Sequence, residues 1–340
     1  MLAAYTSLQN AQQVKEFLIS KRLLSQDHFP VKEMGFMYFP IIKKVTVPNA
    51  QVLDTKFAFP QKKKEPTIQE VLKGKLTPKE LTLLPQSQEV IGTILILEVP
   101  DELKSKEKSI AQAYLEVNKH LTTVVGKDKI HSGEYRTRTV KVLAGKRTKE
   151  TIHTENGVKI KLHLEKVYFS ARSANERLRI AKLVKPNEKV LVMFSGAGPF
   201  PLVIAKHSAA QHVWGIELNP LGHQYALENI SLNHLEKKIT LYEGDVHIIL
   251  PKIKETFDRI AMPLPKTGEL FLPIALPKVK VGGTVHLYAF LDEKVFDSER
   301  KKVQGICKAA GYSCKVPEPV KCGQFSPRVF RVCFDIQRIK

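Results

Sequence analysis

The chain has 340 residues, 43% of them hydrophobic, 8% aromatic and 26% charged, with 54 Lys and Arg against 34 Asp and Glu for a net charge of +20. At roughly 150 residues per domain, this length excludes a single small module and predicts two or three folded units; the apolar share excludes a chain disordered by composition. The positive surplus favours a polyanionic partner through counterion release, nucleic acid first. No apolar run reaches the about 20 residues a membrane span needs. The residues from Met1 to Thr6 lack the basic-then-apolar pattern of an export signal, so a cytoplasmic protein is expected.

In chain order, Gly35 to Ile42 reads as a strand, and residues 1–58 are expected to form a small α+β module. The segment Phe59 to Pro66, with Lys62-Lys63-Lys64 between prolines, reads as a basic linker over 59–67. Glu89 to Val99 is a β-branched run that stops at Pro100, and a helix start at Asp101 leads through Ile110, Tyr114, Leu115 and Val117. Beyond Val140 the pattern is strand, turn, strand, with Thr151–His153 and Val158–Leu164 flanking Asn156-Gly157, a strong hairpin signal. Residues 68–168 are thus expected to be a β-rich middle domain.

From residue 169 the character changes. A short apolar strand, Val190–Phe194, precedes the turn Ser195-Gly196-Ala197-Gly198-Pro199-Phe200 and the apolar run Leu202–Ala205; His212–Ile216, a helix through Tyr225 and a strand at Ile239–Tyr242 follow. Strands alternating with helices predict βαβ units and a doubly wound parallel sheet. Gly196 and Gly198 let the turn pass close to a ligand at the strand's carboxyl end, where such sheets bind nucleotides. The third glycine of a pyrophosphate loop is missing, because Gly198 is followed by Pro199, Phe200 and Pro201. This disfavours a nicotinamide dinucleotide. Glu217, before Leu218, ends the next strand with two oxygens able to chelate a ribose diol; Asp245, before Val246, ends the third and suits an adenine amino group. A Gly-rich turn and two acids on successive strand ends describe an adenosine without phosphates, as in S-adenosylmethionine. Cys307, Cys314, Cys322 and Cys333 lack the C-x2-C spacing of a zinc site and are expected to be buried thiols, with no metal required.

Six stretches then carry a resemblance. They are Val90–Pro100, Gly133-Glu134-Tyr135-Arg136, Val167–Arg177, Phe194–Phe200, Met262-Pro263-Leu264-Pro265-Lys266 and Phe325-Ser326-Pro327-Arg328. In this order they are similar to the archaeal and eukaryotic tRNA guanine-N1 methyltransferases that modify guanosine 37, beside the anticodon. The resemblance covers nearly the whole chain. It implies a class I, Rossmann-like methyltransferase domain over 169–340, behind the β-rich middle domain and an N-terminal module that touches the outer corner of the tRNA. Glu176 matches the family's general base, Arg136 the arginine that contacts guanine O6, and Arg172 the partner that positions the base and the anticodon-loop backbone. Phe194, Gly196, Gly198, Glu217, Leu218, Asp245, Val246 and Pro263 are the expected cofactor-binding positions. On pattern alone Glu176 reads instead as an ion-pair partner of Arg172 or Arg177. Three positions depart from the family: Pro263 stands where an Asn donates to the target base, Ala171-Arg172-Ser173 replaces Pro-Arg-Leu, and Val192 replaces an Asp before the Gly-rich turn. The resemblance implies a monomer. The alternatives are a wybutosine-pathway transferase using the same cofactor, by aminocarboxypropyl transfer or by a second methylation of the tricyclic base, and a non-catalytic RNA-binding protein.

Overall fold

A computed structural model of the protein describes residues 1–62, 66–85, 88–132 and 137–340. The chain divides into two compact units, residues 1–71 and 72–340. In the first, β1 (Leu2–Ser7), β2 (Val31–Glu33), β3 (Phe36–Pro40) and β4 (Gln51–Asp54) form an antiparallel sheet in the order β2-β3-β1-β4. α1 (Ala11–Ser20) supplies Val14 and Leu18 to a core with Ala4, Phe39, Ile41 and Val47. The expected strand at 35–42 is β3. Phe59 is buried, and the Lys62 amide donates to the Asp27 carbonyl at 2.8 Å, so this unit's contacts extend past Pro60.

The second unit opens with a short helix, Pro78–Thr82, then a mixed sheet of β5 (Gln88–Ile91), β6 (Ile94–Leu97), β7 (Thr123–Ser132) and β8 (Thr137–Gly145) in sequential order. The β-branched run expected over 89–99 folds back on itself here. Gly92, at φ +56°, makes the turn between β5 and β6, and a Cβ there would lie 2.2 Å from Thr151 Oγ1 and 2.4 Å from the Ile152 carbonyl oxygen. Gly92→Ala is therefore expected to lower stability by about 1–3 kcal/mol in urea unfolding. The helix expected from Asp101 begins as a 3-10 turn, Asp101–Lys106, and continues as an α-helix over Glu107–Val117. The hairpin of β9 (Glu150–Glu155) and β10 (Val158–His163) turns at Asn156 and Gly157, both at positive φ, as the Asn-Gly signal predicts.

The large sheet has the order β13-β12-β11-β14-β15-β18-β16, with β17 paired to β18. Its parallel part is β11 (Lys189–Met193), β12 (His212–Glu217), β13 (Ile239–Glu243), β14 (Phe257–Met262) and β15 (Val279–Asp292); β16 (Cys314–Lys315), β17 (Val320–Ser326) and β18 (Val329–Arg338) complete it antiparallel. The period of two along β11 explains the layering. Val190 and Val192 face a core shared with the helices Ala174–Leu183, Pro199–His207 and Pro220–Leu232, whereas Leu191 and Met193 face the helices Val246–Ile249, Leu272–Ala275 and Phe296–Ala309. Helices on both faces of a mostly parallel sheet make this the expected doubly wound α/β architecture. The first core also takes Ile91, Ile94, Val125 and Val140 of the smaller sheet and Val158 and Ile160 of the hairpin.

Candidate active site

Between β11 and β14 the strand order reverses direction, the switch point at which open α/β sheets leave a crevice. The turn after β11 is shaped for that crevice. Phe194 sits at φ +60°, strained for an aromatic residue, with its ring edge-on to Phe271 at 4.8 Å. The Ser195 amide bonds the Ile216 carbonyl at 2.9 Å, tying the turn to β12. Gly198, at φ +83°, caps the following helix, where Pro199 fits the first turn.

Glu217 is fixed by backbone donors. Its Oε2 accepts from the Gly196 amide at 2.6 Å and its Oε1 from the Asn219 amide at 2.8 Å, leaving acceptor capacity for a diol. Burial outweighs these bonds and raises its pKa above the ordinary carboxylate value. Asp245 caps the next short helix, accepting from the His247 amide at 2.7 Å. Phe194, Gly196, Glu217, Leu218, Asp245, Val246 and Pro263 line one cleft of about 360 Å³, with Phe271 on its wall. Gly198 is not on that wall; its place is the helix start, where a Cβ would sit 3.3 Å from the Ala226 Cβ.

A second, narrower cavity is continuous with the first, since Tyr168, Phe194, Gly196 and Pro263 line both. Its other walls include Phe169, Glu176, Phe200, Tyr288 and Arg331. Aromatic rings on several sides suit a stacked nucleobase. Glu176, 4% exposed, is the carboxylate of this cavity. The ion pair expected with Arg172 or Arg177 is replaced by one with Arg179: Arg179 Nε donates to Glu176 Oε2 and Nη2 to Oε1, each at 2.8 Å, and the Tyr288 hydroxyl donates to Oε1 at 2.6 Å. Arg177 is engaged elsewhere. It meets Glu155 through two 2.5 Å bonds, donates to the Ser170 carbonyl at 3.0 Å and stacks by Phe169 and Phe200. Arg172 is exposed and does not line the cavity beside Glu176. Arg136 lies outside the described residues. Arg138, on β8, donates to the carbonyl of Phe169 on the cavity wall at 3.2 Å.

Tyr288, Arg331 and Arg179 are absent from the sequence-derived set. Arg331 follows the quoted Phe325–Arg328 stretch and donates to Ser173 Oγ, while its Nε is buried without a partner among the described residues. Burial pushes Tyr288 well above an ordinary phenol, so it stays a donor to Glu176. The four cysteines are free thiols, two of them buried; burial pushes Cys307 up to about 12. His286, Cys333 and Asp335 bring donor atoms within 4.8 Å of one another, yet Arg259 and Arg179 already occupy His286 and Asp335 and would repel a cation. Among the described residues no helix is long and apolar enough to cross a membrane.

Comparison with known proteins places this geometry. The family described as TRM5/TYW2 methyltransferase domain matches residues 151–316, and the TYW2 N-terminal domain matches residues 68–148. The curated tRNA (guanine(37)-N(1))-methyltransferase Trm5b of Pyrococcus abyssi is 33% identical over 339 residues, 99% of this chain and 98% of its own. A solved complex of aTrm5 and tRNALeu has a TM-score of 0.70 at 27% identity, covering 100% of both chains. Pyrococcus horikoshii TYW2 in complex with MeSAdo has a TM-score of 0.68 at 31% identity, over 80% of this chain and 97% of that one. Similarity that runs from end to end establishes the family: this chain belongs to the tRNA (guanine(37)-N1)-methyltransferases of the TRM5/TYW2 type.

Proposed function

We propose that the protein transfers a methyl group from S-adenosylmethionine to N1 of guanosine 37 in tRNA. The observation that carries this reading is the pair of continuous cavities, one ending on a backbone-fixed carboxylate and the other on Glu176 between aromatic walls. The donor set fits the cofactor: Glu217 has acceptor capacity for the ribose hydroxyls, and Asp245 and Val246 offer polar and apolar edges to adenine. When bound, S-adenosylmethionine supplies an electrophilic methyl group on a sulfonium and leaves as the neutral thioether.

The chain's own residues do the rest. Guanine N1 carries a proton, and Glu176 takes it as the N1 electron pair forms the new N–C bond. Arg136 supplies the cation that holds the charge growing on O6, and Arg172, exposed at the rim, steers the anticodon-loop backbone. The target nucleotide leaves its loop stack to enter the aromatic cavity. The first unit acts as the tRNA-sensing module at the outer corner, the protein works as a monomer in the cytoplasm, and the net charge of +20 supports the encounter with RNA.

Two consequences are measurable. Glu217→Gln keeps the shape but removes the charge, and the dissociation constant for S-adenosylmethionine should rise about 10-fold by calorimetry. Because the raised pKa of Glu217 brings protonation nearer to neutrality, cofactor affinity in the native protein should fall on acidification before an ordinary carboxylate would lose its charge. A second reading, aminocarboxypropyl transfer, draws support from Pro263 and from the TYW2 likeness of residues 68–148. Labelled S-adenosylmethionine decides between them when offered tRNA transcripts with guanosine or adenosine at position 37 and a tRNA that carries the tricyclic demethylwyosine there. Label entering only the guanosine transcript, with the product heavier by one methyl, is expected. An aminocarboxypropyl mass overturns it.

A further inference from the structure

Behind Glu176 lies a chain of partly buried charged groups that the reaction as described does not use. Arg179 is shared between two carboxylates: besides its two bonds to Glu176, its Nη1 donates to Asp335 Oδ2 at 2.9 Å and its Nη2 approaches Oδ1 at 3.4 Å. Asp335 Oδ1 also lies 2.6 Å from Nδ1 of fully buried His286. His286 Nε2 lies 2.7 Å from Nη1 of Arg259, which pairs through Nε and Nη2 with Glu188 at 3.0 and 3.2 Å and reaches the Leu183 carbonyl at 2.8 Å.

The chemistry fixes the protons. A guanidinium only donates, so His286 Nε2 must accept, and the ring is neutral with its proton on Nδ1, donated to Asp335. Burial, then the two cations nearby, lower His286 in the same sense, against the pull of Asp335. Burial alone would raise Asp335, but the bonds from His286 and Arg179 outweigh it and hold the carboxyl well below the ordinary range. Three carboxylates (Glu176, Asp335, Glu188) therefore share two guanidinium groups, and Arg179 is divided between Glu176 and Asp335 while Arg259 serves Glu188. Of the three, only Glu176 opens on the cavity.

We propose that Asp335 is a positioning residue for the reaction: by sharing Arg179 it leaves Glu176 able to accept the N1 proton, and His286 with Arg259 holds Asp335 in that role. This rests on the reading of Glu176 as the base. Because Arg179 bonds both carboxylates, its charge is not spent on Glu176 alone, and the N1 proton passes to Glu176 as the N–H bond breaks and an O–H bond forms there. No other group near Glu176 takes Asp335's place as a second carboxylate on Arg179. Tyr288 on β15, Cys322 on β17 and Cys333 on β18 stay protonated because burial raises all three. Arg177 and Arg331 are cations, the first already matched by Glu155.

The test is the pH dependence of single-turnover methyl transfer by the full chain. Asp335→Asn leaves Arg179 wholly to Glu176, so the acid limb should move down by about one pH unit and the plateau rate fall about 10-fold, with KM for tRNA and S-adenosylmethionine within two-fold of wild type. Arg179→Gln removes the cation, and its acid limb should move up. Opposite shifts are not what a merely structural lesion produces, and either variant still reads the relay if the other fails to fold. Wild-type activity with acid limbs unmoved, or moved the same way, overturns the role of Asp335. A wild-type protein that methylates no tRNA overturns instead the reading of Glu176 on which it rests.

Discussion

Glu176→Gln is expected to bind S-adenosylmethionine and tRNA as the native protein does and to transfer methyl groups about 100-fold more slowly or worse, in a filter assay at saturating cofactor. The amide keeps the volume and an acceptor for Arg179 and Tyr288 but has no affinity for a proton. Binding should survive because Glu176 is 4% exposed and held by protein donors, with one acceptor site left for the N1 proton, so the ground-state complex has little to lose. The loss falls on kcat, the pattern of an interaction that matters only as N1 gives up its proton. Unimpaired turnover in this variant would contradict the assignment. A non-catalytic RNA-binding protein predicts no activity to lose in either form.

The second large effect is on stability. Arg177 and Glu155 are both nearly inaccessible, at 3% and 7%, and hold one another through two 2.5 Å bonds. Removing one partner leaves a buried charge unpaired between Phe169 and Phe200, so Glu155→Ala should cost about 3–5 kcal/mol and lower Tm by on the order of 10 °C. Replacing both by apolar residues of similar size, Glu155→Leu with Arg177→Met, should recover much of that loss, because the cost lies in the uncompensated charge. The pair also connects the β9–β10 hairpin to the start of the Glu176 helix, where Asn156 Nδ2 donates to the Ala174 carbonyl at 2.9 Å. The single variant should therefore lose activity at temperatures where the double variant retains it, as matched assay and calorimetry would report.

Much of this was legible because the signals are local. The Asn156-Gly157 turn, the strand-turn-helix around Gly196 and Gly198, and the acids Glu217 and Asp245 each depend on residues a few places apart, and the structure puts Glu217 and Asp245 on one cleft wall. Gly92 was a weaker signal: one glycine within a β-branched run does not say whether the run bulges or reverses, and contact with Thr151, 59 places away, accompanies the reversal. The surroundings of Glu176 had no local signature. Tyr288 and Asp335 lie 112 and 159 positions downstream and come together through the antiparallel pairing of β15 with β18, in which His286 stands opposite Asp335. Periodicity cannot predict that register. The same holds for the arginine beside Glu176. The i,i+3 partner Arg179 prevails over Arg172, which lies in the 3-10 turn before the helix, and over adjacent Arg177, because Asp335 draws Arg179 inward while Glu155 holds Arg177.

The central claim is that Glu176 meets the proton of a flipped purine beside the cofactor cleft. A crystal structure of the protein with S-adenosylhomocysteine and a tRNA bearing guanosine 37 tests it most directly. A carboxylate oxygen of Glu176 within about 3.2 Å of guanine N1, the base lying between Phe169, Phe200 and Tyr288, is the predicted result. The account is contradicted if the base rests elsewhere while Glu176 remains closed on Arg179 and Tyr288 with no substrate atom in reach.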